Sequence, residues 1–111
     1  MNTKDMVDFA TLVATLAVRL GLPPYSAAVA ANEMRALSVR LHRLAVRACN
    51  DPMWGEDDDK RVLSYERRAL HMVEQIDKGR GICRAVFGRD PRGACFWIEV
   101  KDGDLNREMF F

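Results

Sequence analysis

From Ser26 to Cys49 the chain contains neither proline nor glycine, and its apolar side chains recur in alternating steps of three and four. Ala27, Ala30, Met34, Leu37, Leu41, Leu44 and Ala48 form one seam, and Val39, His42, Val46 and Cys49 form a second stripe across the same helix. Ser26 is the predicted cap. At 1.5 Å per residue such a helix is roughly 36 Å long, close to the full width of a domain of this size. It must therefore act as a spine covered on two faces, which leaves only a narrow edge for Arg40, Arg43 and Arg47 to meet water.

The flanking segments supply the cover. Asn2 or Thr3 is predicted to cap a preceding helix with Asp5 and Asp8 in its first turn, where the helix dipole favours negative charge. Its stripe reads Met6, Phe9, Val13, Leu16 and Leu20, and Gly21 followed by Leu22-Pro23-Pro24 ends it. After the spine, Asn50 to Asp59 is rich in turn formers and reads as a loop with an acidic end. A third helix runs from about Asp58 to Lys78 on a seam of Val62, Tyr65, Ala69, Met72 and Ile76, with Gly79 as its stop, and forms an antiparallel hairpin with the spine.

Past Gly79 the period changes to alternation. Ile82 to Phe87 and Ala94 to Val100 read as strands joined through Gly88-Arg89-Asp90-Pro91-Arg92-Gly93, and Asp102-Gly103 signals a short turn that returns Leu105 to Phe111 as a third strand. The expectation is one α+β domain over residues 1–111. Three N-terminal helices (3–79) precede a C-terminal antiparallel β-hairpin or three-stranded sheet (81–111).

The formal net charge is only +1, so the chain is neither a polyanion nor a polycation, and any electrostatic message lies in its distribution. Residues 49–60 hold five acidic side chains against one basic, whereas residues 1–48 hold six basic against three acidic. The apolar stretch from Phe9 to Leu22 is too short to span a bilayer and contains Arg19, and acids precede it where a signal peptide carries positive charge. No membrane association is expected, and a cytoplasmic setting is. Cys49, Cys83 and Cys95 are odd in number and widely spaced, which suits reduced thiols.

Candidates for chemistry are few. No nucleophile-elbow pattern, phosphate-cradling glycine loop or close pairing of metal ligands occurs, so no enzyme activity, cofactor or metal is expected. Gly79-Arg80-Gly81 reads as a helix stop, and His42 as a hydrogen-bonded histidine on an apolar stripe. Leu16 to Leu22 has the spacing of a helix-turn-helix, but the next helix opens with alanines suited to close packing. The surface candidates are basic. Arg40, Arg43 and Arg47 on the spine, with Arg61 and Arg68 on the third helix, make a strip that either meets an acidic partner or is satisfied by Glu33, Glu66 and Asp57 to Asp59. In the turn, Asp90, Pro91 and Gly93 account for the reversal, with Gly93 read as a left-handed bend. Arg89 and Arg92 are left over as contacts for a ligand or partner.

His42-Arg43-Leu44-Ala45 with Cys49-Asn50 on one helix, then a charged helix, then Asp90-Pro91-Arg92-Gly93 between two strands, resembles small uncharacterised proteins encoded by tailed phages and prophages of proteobacteria. The resemblance covers residues 37–100. It implies a phage origin and no particular activity; together with the small size and the absence of catalytic signatures, it makes a non-enzymatic protein that inhibits or redirects a host factor in the host cytoplasm, with anti-defence (anti-CRISPR type) action, the leading expectation. The partner is then a host protein or defence complex, engaged through Arg40, Arg43, Arg47, Arg61, Arg68, Arg89, Asp90 and Arg92. Two alternatives stay open: a nucleic-acid-binding accessory protein using the same arginines, and an oligomeric sponge for a nucleotide signal. Homo-oligomerisation fits the long spine and the Phe110-Phe111 end, the alternative being that both phenylalanines cap the core as part of a final strand.

Overall fold

Asp8 sets the start of the first helix. Its carboxylate accepts the Thr11 amide at 2.7 Å, an N-cap that holds the carboxyl below the usual carboxylate range and opens α1 at Phe9–Leu20. The computed structural model describes residues 6–111, so Asn2, Thr3 and Asp5 lie outside the described residues. The expectation that Met6 continues the helical stripe is corrected: Met6 forms a parallel bridge to Phe110, and the Val7 amide donates to the Phe110 carbonyl at 2.9 Å. Leu12, Leu16 and Leu20 are the buried face of α1, and Gly21, at φ +66°, ends it.

The spine is α2, Pro24–Asn50. It begins two residues before Ser26 because Pro24 sits in the first turn, where a missing amide hydrogen leaves no helical bond unmade. The molecule measures 45 × 26 × 25 Å, and these 27 residues run about 40 Å at 1.5 Å each, so one helix organises the whole length. Ala27, Ala30, Met34, Leu37, Leu41 and Leu44 are buried as one seam, while Ala48 is exposed. The second stripe has little cover: Val39 is 48% and Val46 38% exposed.

The third helix, α3, spans Glu56–Asp77. Its start corrects the expected loop: Glu56 to Asp59 form the first helical turn, because the Asp58 carboxylate accepts the Gly55 amide at 3.1 Å and acids there face the positive end of the dipole. Pairings of Arg47 with Asp58, Arg40 with Tyr65 and Glu33 with Arg68 run in opposite directions along the two helices. α2 and α3 are therefore an antiparallel hairpin.

Three strands follow as one antiparallel sheet in the order β1 (Cys83–Phe87), β2 (Phe96–Asp102), β3 (Leu105–Phe110). The fold is α+β with a C-terminal three-stranded sheet. Gly103, at φ +65°, makes the turn that lets Asp102 pair with Leu105. Phe96, Ile98, Val100 and Met109 face the helices and are buried, and Phe96 stacks on Phe87 and meets Phe111 edge-on. Among the described residues no helix is long and apolar enough to cross a membrane.

Candidate functional site

One end of the molecule gathers the last turn of α2, the short connection to α3, the first turn of α3 and the turn between β1 and β2. Arg47 reaches Asp51 at 3.4 Å and Asp58 at 3.5 Å, and its guanidinium lies 5.7 Å from the centre of the Trp54 ring. The Trp54 indole N–H donates to Asp59 at 2.9 Å. Arg89, at the foot of the β1–β2 turn, donates to Glu66 on α3 at 2.8 Å. That bond raises the guanidinium further above its ordinary value.

The turn itself is built by Asp90. Its carboxylate takes the Arg92 side chain at 2.8 Å and the Arg92 amide at 3.0 Å, which lowers the carboxyl to about 2. The Asp90 carbonyl accepts the Gly93 amide at 3.0 Å. Gly93 is not in the left-handed region, contrary to the expectation, because this reversal is closed by hydrogen bonds at ordinary dihedrals. His42 fixes the turn to the spine: its Nε2–H donates to the Pro91 carbonyl at 3.0 Å. Segments 42–50 and 90–93 thus meet in space.

The eight candidate residues do not form one strip. Arg47, Arg89, Asp90 and Arg92 share this end. Arg40 lies 5.8 Å from the Tyr65 ring centre, and Arg68 pairs with Glu33 at 3.2 Å. Arg61 is exposed on α3 and Arg43 opens onto a groove beside the sheet, neither with an ion pair among the described residues. Sequence reasoning did not place Trp54 at the charged end, and it passed over the groove. Trp97 carried the signal for the groove: in strict alternation it falls between Phe96 and Ile98, so it must project to the opposite face of the sheet.

The thiols differ sharply. Burial and the nearby Asp77 carboxylate push Cys83 up to about 12, and burial also raises Cys95, whereas Cys49 is exposed. Native protein is expected to react with a thiol reagent at Cys49 alone, and at Cys83 and Cys95 only after denaturation; fast labelling of Cys83 in the folded state would contradict this packing. Among the described residues no group of three or more His, Cys, Asp or Glu side chains is arranged to hold a metal ion. No family model, curated protein or solved structure matches the chain.

Proposed function

We propose that the protein is a non-enzymatic, phage-encoded binding protein that inhibits or redirects a host factor, with a defence complex of the CRISPR type as the class of target, and that the charged end is its contact surface. The supporting observation is the pairing there: Arg47 with Asp51 and Asp58, Arg89 with Glu66, and Arg92 with Asp90. Nucleic-acid affinity comes largely from cations that neutralise phosphates, and each of these guanidiniums already holds a carboxylate. A surface of interleaved signs with an aromatic side chain among its arginines suits a protein partner instead, since Arg and Trp are enriched in protein interfaces and charge alternation fixes register. The phage setting rests on the residue pattern of 37–100.

The test is affinity purification of the tagged chain from a host lysate containing its defence complexes, with and without nuclease, beside the variant Arg92→Glu. A stoichiometric protein that survives nuclease and moderate salt, and is weakened roughly tenfold or more by the charge reversal, is the expected result. Recovery of nucleic acid alone, lost as salt rises, would overturn the reading in favour of the nucleic-acid alternative.

A further inference from the structure

A groove of about 560 Å³ is lined by residues of α2 and by Trp97, Glu108 and Phe110 of the sheet, and borders the β1–β2 turn at Gly93 and Ala94. Its apolar lining includes Val39 from the uncovered stripe of α2, Met6, and the Trp97 and Phe110 pair, whose ring centroids lie 5.4 Å apart. Met6 is 51% and Val39 48% exposed. Large apolar side chains grouped on one surface mark a contact site rather than ordinary scatter. The same lining holds one cation, Arg43, and one carboxylate, Glu108, and neither has an ion pair or side-chain hydrogen bond among the described residues. Arg107, beside Glu108 in β3 but outside the groove lining, also lacks an ion pair among the described residues; Arg47 and Arg92 have carboxylates, and Glu99, opposite Glu108 in the sheet, holds Arg84 at 2.7 Å. The indole N–H of Trp97 is buried and has no acceptor among the described residues, an omission that native interiors rarely leave standing.

We infer that a second copy of this chain occupies the groove, in a two-fold dimer where Arg43 of each protomer pairs with Glu108 of the other. The charge pattern selects this occupant. In an isologous interface, residue i meets residue j and j meets i, so a surface carrying one unmatched cation and one unmatched anion is its own complement. A foreign segment would have to bring both charges at the right separation on an apolar stripe. The exposed Val39 and Val46 ridge of α2 provides apolar side chains to enter the partner's groove, and the net charge of +1 opposes association only weakly. This surface borders the turn that carries Arg92 but uses none of the pairings of Arg47, Arg89 and Arg92, so the oligomeric state and the capture of a host protein test the two readings independently.

Sedimentation equilibrium on the full chain tests it, with circular dichroism confirming that each variant is folded. The wild type is expected at twice its monomer mass of 12.6 kDa. Arg43→Glu and Glu108→Arg each place like charges together twice in the interface and raise the dissociation constant by roughly tenfold or more. The double variant Arg43→Glu/Glu108→Arg restores the dimer, because each reversed charge again finds its opposite across the axis. A wild type that stays monomeric, single reversals that leave the dimer intact, or a double variant as dissociated as its parents would each overturn the inference.

Discussion

Replacing Asp77 by alanine is expected to lower the unfolding free energy by about 3 to 5 kcal/mol, read as a shift of the urea midpoint without a change in slope. Asp77 is the last residue of α3 and is buried at 8% exposure. Its two carboxylate oxygens accept three successive amides, from Gly81 at 2.8 Å, Ile82 at 2.7 Å and Cys83 at 2.9 Å. Those bonds turn the chain from helix into β1. Beside them Arg80 donates to the Leu20 carbonyl at 2.8 Å and the Ile76 carbonyl at 3.2 Å, so the same corner ties the end of α1 to the end of α3. Alanine leaves three donors without partners, and the Cys83 amide lies where water does not reach. Asparagine keeps one acceptor oxygen but turns an NH₂ group toward the remaining amides, and about half the loss is expected from it. Asp104→Ala, in the exposed β2–β3 turn, should change stability by less than about 0.5 kcal/mol.

The same carboxylate gives the effect a pH dependence. Burial opposes its ionisation, but the three amides and Arg80 outweigh burial and hold its folded value below the ordinary one. A depressed carboxyl stabilises the fold fully above its unfolded value, about 3.9, and that contribution is lost as pH falls through the folded value. The gap between wild type and Asp77→Ala should therefore be widest near neutrality and shrink in acid. A gap that stayed constant to below about pH 2 would show that volume, and not charge, makes the residue necessary.

The order of elements, the buried seam of α2 and the turn at Gly103 were legible in the sequence because period and turn chemistry are local properties. Element ends were less so: Pro24 and Ser26 are both plausible openings for α2, and the acids of α3 suit a loop or a first turn equally until the Gly55 amide finds Asp58. The arginines show a different limit. Arg40, Arg43 and Arg47 share one helix edge, yet one lies over Tyr65, one opens onto the groove and one meets Asp58, because the rotation of α2 against its neighbours assigns the partners. Glu66 and Arg89 are 23 residues apart, and only the packing of α3 against β1 joins them. Asp77 did leave a trace. An acid in the last turn of a helix opposes the dipole, so its presence there, just before Gly79-Arg80-Gly81, calls for a compensating set of donors.

Gly88→Ala is expected to cost about 2 to 3 kcal/mol and to loosen the candidate site in step with the loss. Gly88 follows β1, and its amide donates to the Cys95 carbonyl at 3.2 Å, closing the base of the turn that carries Arg89, Asp90 and Arg92. A Cβ there would stand 2.7 Å from the Ala94 carbonyl oxygen, a contact with backbone that no side-chain rotation relieves, and 3.5 Å from the Trp97 ring. The φ of Gly88 is not in the left-handed region, so the requirement is for space and not for dihedral freedom. Relief requires the strands to part at this point, which pulls the turn away from α2 and lengthens the contact from His42 to the Pro91 carbonyl. Gly93→Ala supplies the contrast: its nearest neighbour is the Asp90 carbonyl oxygen at 4.0 Å, and its cost should stay under about 1 kcal/mol. Thermal unfolding of the two variants, with hydrogen exchange at the Gly93 amide, separates the effects. Faster exchange in Gly88→Ala and unchanged exchange at the neighbouring amides of Gly93→Ala would mean that the close approach of Gly88 to Ala94 positions the turn. The reverse order would mean that the Asp90 hydrogen bonds hold the turn unaided and that the strands can part without disturbing it.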